Sequence, residues 1–156
     1  MRLYKSKDEK GLQKSECLFI SDGNFVFKAI KEDDESYQPG NCELIIEGSK
    51  VYRPKNPTSK EKGSCINIIK GNKVYFSDDD KGEKLGEIHF IIESNNIYGA
   101  ESDYNVKSRL QYVIEDNKIF RMNLNRYGEE EKKCILIAED LLYRQVILAV
   151  LTNFFV

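Results

Sequence analysis

The chain has no tryptophan, one histidine (His89) and three prolines in 156 residues. Its four cysteines, Cys17, Cys42, Cys65 and Cys134, lie far apart, and none sits in a C-x-x-C pair. A zinc site needs three or four His or Cys ligands at suitable spacing, so no metal site is expected. With one histidine and no G-x-S-x-G elbow, a Ser-His-Asp or Cys-His nucleophile has no visible partner set. There is no P-loop and no G-x-G-x-x-G turn to hold phosphates. These absences predict no catalytic residues, no cofactor and no enzyme.

Long apolar runs are scarce as well. Met1 to Lys14 carries charges throughout, so no signal peptide is expected. The longest uncharged run near the C-terminus, Gln145–Val156, has 12 residues, whereas a spanning helix needs roughly 20. No transmembrane segment is expected, and the cytoplasm is the default compartment. Each cysteine falls in or beside an apolar run, where a reduced thiol acts as a small hydrophobe. The net charge of −2 gives no general affinity for nucleic acid or anionic membranes.

What the chain does have is a succession of short apolar runs separated by turn residues. Leu3–Lys5, Cys17–Ser21, Asn24–Lys31, Cys42–Glu47 and Lys50–Arg53 read as strands in the first half. Asp22-Gly23 and Gly48-Ser49 supply hairpin turns, Glu32–Gly40 reads as a polar loop, and Pro54 and Pro57 end the pattern. The second half continues with Cys65–Lys70, Lys73–Ser77, Leu85–Glu93, Ile97–Ala100, Arg109–Ile114, Lys118–Asn123 and Lys132–Ala138. Gly71-Asn72, Asn95-Asn96 and Glu115-Asp116-Asn117 mark the turns between them. About twelve strands are predicted. Alternation puts His89 with Leu85, Glu87 and Ile91, opposite Ile88, Phe90 and Ile92.

The last segment is apolar nearly all the way round. A helix over about 139–155 is predicted, with Asp140 as N-cap. Leu142, Val146, Ala149 and Val150 form one stripe, and Leu141, Leu148, Leu151 and Phe155 another. A pair of strands over Gln145–Val156 is the rival reading, but no turn residue divides the segment. A helix that hides every face needs walls on every side. The expected architecture is therefore mainly β: one domain over residues 1–156, a closed antiparallel barrel around a buried C-terminal helix.

Two phrases carry a family resemblance. Val74-Tyr75-Phe76, an acidic turn, and Gly82-Glu83-Lys84-Leu85-Gly86-Glu87-Ile88 resemble the strand–turn–strand phrase of tubby C-terminal-like proteins. Ala138-Glu139-Asp140-Leu141-Leu142 followed by aliphatics resembles the acidic cap and terminal helix of their bacterial members. The resemblance, which takes in LURP-one-related proteins and phospholipid scramblases, implies a barrel around a helix. For tubby domains it also implies phosphoinositide headgroups bound by basic side chains. The basic spanning segment and cysteine cluster of scramblases are absent. No headgroup ligand can be matched position by position.

The acidic runs Asp33–Glu35, Asp78–Asp80 and Glu129–Glu131 fall where hairpin tips are expected, and none has the alternation of a calcium loop. One stretch stands out by sign. Ser49–Ser77 holds seven basic residues against Glu61, a local charge of +6 that leaves −8 for the rest. Lys50, Arg53, Lys55 and Lys73 are the candidate anion-binding residues, with Tyr52 and Tyr75 among them. They predict a non-enzymatic module for an anionic lipid headgroup or an acidic partner, peripheral at a membrane in the former case. A scaffold pairing through an exposed strand edge is the alternative. No recognition helix or RNP-like strand pair points to nucleic acid. Oligomeric state is not legible.

Overall fold

The computed structural model describes residues 1–101, 106–140 and 143–155. Twelve strands precede one helix: β1 (Arg2–Ser6), β2 (Lys14–Asp22), β3 (Phe25–Lys31), β4 (Tyr37–Glu47), β5 (Lys50–Pro54) and β6 (Lys62–Lys70), then β7 (Lys73–Ser77), β8 (Leu85–Glu93), β9 (Asn96–Glu101), β10 (Val106–Glu115), β11 (Lys118–Leu124) and β12 (Glu130–Glu139), with α1 over Arg144–Phe154. Every strand pairs antiparallel with its sequence neighbours, and β1 also pairs with β12. The strands form one ring.

The ring is a hairpin repeated six times. Cys17, Cys42, Cys65, Ile88, Leu110 and Cys134 recur at intervals of 22 to 25 residues. Each pairs across the ladder with an aromatic residue: Cys17 with Tyr4, Cys42 with Phe27, Cys65 with Tyr52, Ile88 with Tyr75 and Cys134 with Phe120, while Leu110 pairs with Tyr98. Register shifts flank each of these pairs, on both sides in all but Cys134 with Phe120, and each shift leaves one extra residue on the even-numbered strand. Such bulges bend and twist a strand, the curvature a ring requires.

The tips repeat too. The first tip residue has positive φ in Gly23 (58°), Gly48 (60°), Gly71 (62°), Ser94 (55°) and Asp116 (52°). The second tip residue offers its carbonyl to the following repeat. Ile46, Ile69 and Ile92 donate their N–H to Asn24, Ser49 and Asn72 at 2.7 Å, and Ile114 donates to Asn95 at 2.9 Å. Ala138 closes the series on Asn117 at 2.7 Å. The rim is thus stitched by main-chain bonds that depend little on side-chain identity. Two tips are displaced by one residue from their expected places: Gly23-Asn24 lies one residue later than Asp22-Gly23, and Ser94-Asn95 one residue earlier than Asn95-Asn96.

Inward side chains from β1 and β3–β12 form one apolar cluster with Val146–Leu151 of α1, and Leu18 and Phe19 of β2 pack against it. Val146 through Thr152 are all buried. Gln145 donates to the Gly48 carbonyl at 3.2 Å, Arg144 donates to that of Ser94, and Asn153 donates to Asn67 Oδ1 at 2.8 Å.

Three expectations need correcting. The helix begins at Arg144, not near Asp140, and its N-cap, Tyr143, makes no side-chain capping bond. Asp140 has φ +74°. It occupies the place that a tip residue holds in the other repeats, so it turns the chain off β12 instead of capping α1. Leu141 and Leu142, assigned to the helical stripes, lie outside the described residues. The polar loop ends at Ser36, because Tyr37 already belongs to β4 and packs edge-on against Tyr4 at 6.2 Å. Alternation also fails at His89. Tyr75 pairs with Ile88 and Val74 with Phe90, so His89 is the extra residue of a bulge. Phe90 and Ile92 join the core cluster and Ile91 does not.

Candidate binding surface

The outer face of the ring is organised by the same repeat. Each outward aromatic of an odd-numbered strand lies between the last residues of one even strand and the first residues of the next. In four repeats a glutamate and a lysine bridge over that aromatic. Glu47 meets Lys62 at 2.9 Å, with the ammonium 5.1 Å from the Tyr52 ring centre. Glu93 meets Lys107 at 2.8 Å above Tyr98, and Glu115 meets Lys132 at 2.6 Å above Phe120. Glu139 and Lys14 close the fourth bridge above Tyr4. The carboxylates hold Lys62, Lys107 and Lys14 above the usual lysine range. These half-exposed pairs add little stability; their effect is to cover an aromatic ring with a cation.

Two repeats depart from the pattern. Over Phe27 the bridge is replaced by Lys60, whose ammonium sits 5.3 Å from the ring centre. Over Tyr75 the glutamate position holds Lys70 and the lysine position holds Leu85. Among the described residues Tyr75 is the one aromatic of the six with no cation over its ring. Leu85 is 43% exposed. Lys70 lies directly opposite Lys73 across the tip. The corresponding pairs in three other repeats are Glu47 with Lys50, Glu115 with Lys118 and Glu139 with Arg2. Like charges placed opposite each other destabilise a ladder. Among the described residues neither Lys70 nor Lys73 has a carboxylate within 4.0 Å.

The sequence-based candidates divide between the two ends of the ring. Lys50 and Lys73 occupy the same repeat position, the first residue of β5 and of β7, beside the tips. Lys50 donates to the Lys81 carbonyl at 3.2 Å. Arg53 and Lys55 lie at the far end of β5, where they line a cleft of about 320 Å³ with Asn41, Glu43 and Pro57. Lys55 also faces Glu61 at 3.9 Å. The local charge of +6 is therefore not one surface. Tyr75 was already named within the basic stretch, whereas Lys70 and Leu85 were missed as site residues, although comparing the repeats one beneath another in the sequence would have exposed them.

Other features carry less chemistry. A cleft of about 510 Å³ at the helix C-terminus is lined by Arg109, Gln111, Arg121 and Asn123. Its arginines are engaged with main chain, Arg109 with the Met122 carbonyl at 3.4 Å and Arg121 with that of Phe155. His89 packs edge-on against Phe76 at 4.8 Å and tilted against Phe90 at 4.2 Å between ring centres, and burial pushes its pKa down. Among the described residues its Nε2 has no hydrogen-bond partner. The four cysteines are free and buried, and burial raises every one of their thiol pKa values. Among the described residues no three His, Cys, Asp or Glu converge on a metal position, and no helix is long and apolar enough to cross a membrane.

Comparison with known proteins finds no matching family model, no matching curated protein and no matching solved structure.

Proposed function

We propose that the protein is a non-enzymatic binding module that takes an anionic group on the outer face of β6–β7, with Lys50 of β5 beside it. The observation that carries this reading is the Lys70–Lys73 pair: two ammonium groups opposed across a hairpin, at a position where other repeats oppose an acid and a base. An anion between them relieves the repulsion. Arg53 and Lys55 belong to the separate cleft and drop out of the site.

We further read the ring as a closed barrel with α1 as its axial plug. The ladder of β1 with both β2 and β12, and the shared cluster of α1 with inward residues of the strands, support that reading. The same two features support the likeness to tubby C-terminal-like proteins, which would make the anion a lipid headgroup. The alternative, pairing through a free strand edge, is disfavoured because each of the twelve strands has two neighbours.

The test is co-sedimentation with anionic and with zwitterionic vesicles, and retention on immobilised polyglutamate, each at low and at physiological salt. Binding to an anionic support that weakens with salt, and is lost in Lys70→Glu/Lys73→Glu, is the expected result. Failure to bind either anionic support, or binding unchanged in the double variant, would overturn the reading.

A further inference from the structure

We infer that the half-buried Tyr75, which has no lysine over its ring, centres a docking strip for an extended acidic–apolar segment of a partner protein, held by Lys70 and Lys73 at one end and by Tyr75 and Leu85 at the other. The inference rests on the anion-binding reading above and names the partner's chemistry.

The other repeats show what the strip is built to receive. In the four bridged repeats the wall over the aromatic is filled from within the chain: a carboxylate at the tip end, and a lysine whose ammonium sits 4.5 to 5.1 Å from the ring centre. Lysine stems cover apolar surface in this way while their ammonium groups stay in water. At Tyr75 both halves of that cover are missing. Lys70 replaces the carboxylate and Leu85 the long side chain, and Leu85 cannot reach across to the tip. An incoming segment that restores both halves needs an acidic group for Lys70 and Lys73 and an apolar side chain for Tyr75 and Leu85.

Geometry favours a peptide over a headgroup. The strip runs along β7 from Lys73 to Ser77, which pairs with Leu85. Four residues of strand at about 3.3 Å each give roughly 13 Å, the length of a short extended peptide with its acid two to four residues from its apolar side chain. The strip lies on the outer wall of the sheet, with Lys70 and Lys73 at its tip end and its apolar side chains at the other, so a headgroup at the lysines would meet only the first half of it. Charge complementarity also sets the polarity of docking. The acidic turn Asp78–Asp80 follows the Leu85 end of the strip and would repel an acid placed there, so the acid belongs at Lys70 and Lys73.

The experiment is selection of a displayed library of random seven-residue peptides on the intact protein. Synthetic versions of the winners are then measured by fluorescence anisotropy against three variants. Winners should combine Asp or Glu with a large aliphatic or aromatic residue. Lys70→Glu/Lys73→Glu should weaken them at least 10-fold. Leu85→Lys adds a positive charge, so it should leave retention on polyglutamate intact or stronger, yet weaken the winners at least 10-fold by covering Tyr75. Lys70→Glu/Leu85→Lys rebuilds the bridge of the other repeats; it should fold with undiminished stability and bind no winner. Winners without an acid, or winners that bind the Leu85→Lys variant as tightly as the natural protein, would overturn the docking strip while leaving the general anion reading in place. Recovery of no peptide together with salt-sensitive retention on anionic vesicles would assign the lysines to a headgroup and also overturn the strip.

Discussion

Asn153, the last residue but one of α1, donates its side-chain amide to Asn67 Oδ1 of β6 at 2.8 Å, across 86 residues of sequence. Asn67 is 1% exposed, and among the described residues its own Nδ2 has no hydrogen-bond partner. The second Asn153 bond, to the Ala149 carbonyl at 2.8 Å, fixes the donor along the helix. The pair is a polar pin in an apolar interior, and it sets the helix register against one strand.

Removing one partner should therefore cost more than removing both. Asn153→Leu leaves Asn67 with no bond at a buried site, a loss of about 1–3 kcal/mol. The double variant Asn67→Leu/Asn153→Leu should recover part of that loss, giving a coupling free energy of about 0.5–3 kcal/mol in a double-mutant cycle. Urea titrations of the four proteins measure it. Additive effects would show that the pin contributes no specific register.

Ile147 is fully buried within the cluster that joins α1 to the ring. Ile147→Ala should destabilise the fold by about 2–5 kcal/mol through lost transfer free energy and the cavity left behind. Exposed Arg144→Ala should cost far less. Comparable denaturation midpoints for the two variants would argue against α1 as a packed core element.

Glycine substitutions should separate backbone strain from crowding. Gly48 and Gly82 both have positive φ, 60° and 70°, but a Cβ at Gly48 meets nothing within 4 Å. A Cβ at Gly82 would lie 2.7 Å from Cys65 Sγ, inside the turn that covers that thiol. Gly48→Ala should lose about 1–2 kcal/mol from backbone conformation alone, and Gly82→Ala should lose more. Thiol labelling offers a second readout. Gly82→Ala should speed modification of Cys65 in the native protein, and Gly48→Ala should not.

Stability should fall on the acid side of neutrality. Burial lowers the His89 pKa from its ordinary 6.5, so below that value the unfolded chain binds a proton that the folded chain resists. The stabilisation is complete above about pH 6.5 and is lost progressively as pH drops through that value. Glu139, whose pKa the Lys14 bridge lowers from 4.5, contributes in the same direction but at more acidic pH. Melting temperatures between pH 5 and 8 should therefore decline toward pH 5, and His89→Phe should flatten that slope. An unchanged slope in the variant would reassign the pH dependence to other groups.

Much of this architecture can be read from the chain one segment at a time. The strand count follows from period-two runs between turn residues, and Gly48-Ser49 and Gly71-Asn72 fall where hairpin chemistry places them. Gln145–Val156 contains a helix because no residue divides it and its surface is apolar on every side. These properties are local, governed by backbone φ preferences and by side-chain periodicity within a few residues.

Facing is not local, and there the sequence falls short. Extra residues on β8 break its period-two alternation at His89, and extended backbone at about 3.3 Å per residue carries Lys50 and Arg53 toward opposite ends of β5. Asp140 has a capping side chain, yet a tip-like backbone at +74° takes it out of the helix. Whether a lysine is spare or already bridged depends on a glutamate brought alongside by the ladders: Lys62 meets Glu47, while Lys70 meets Lys73. The sequence by itself determined the strands, the tips and an apolar helix in need of walls. The tertiary structure decided which aromatic has no lysine over its ring, because that depends on register between strands distant in sequence.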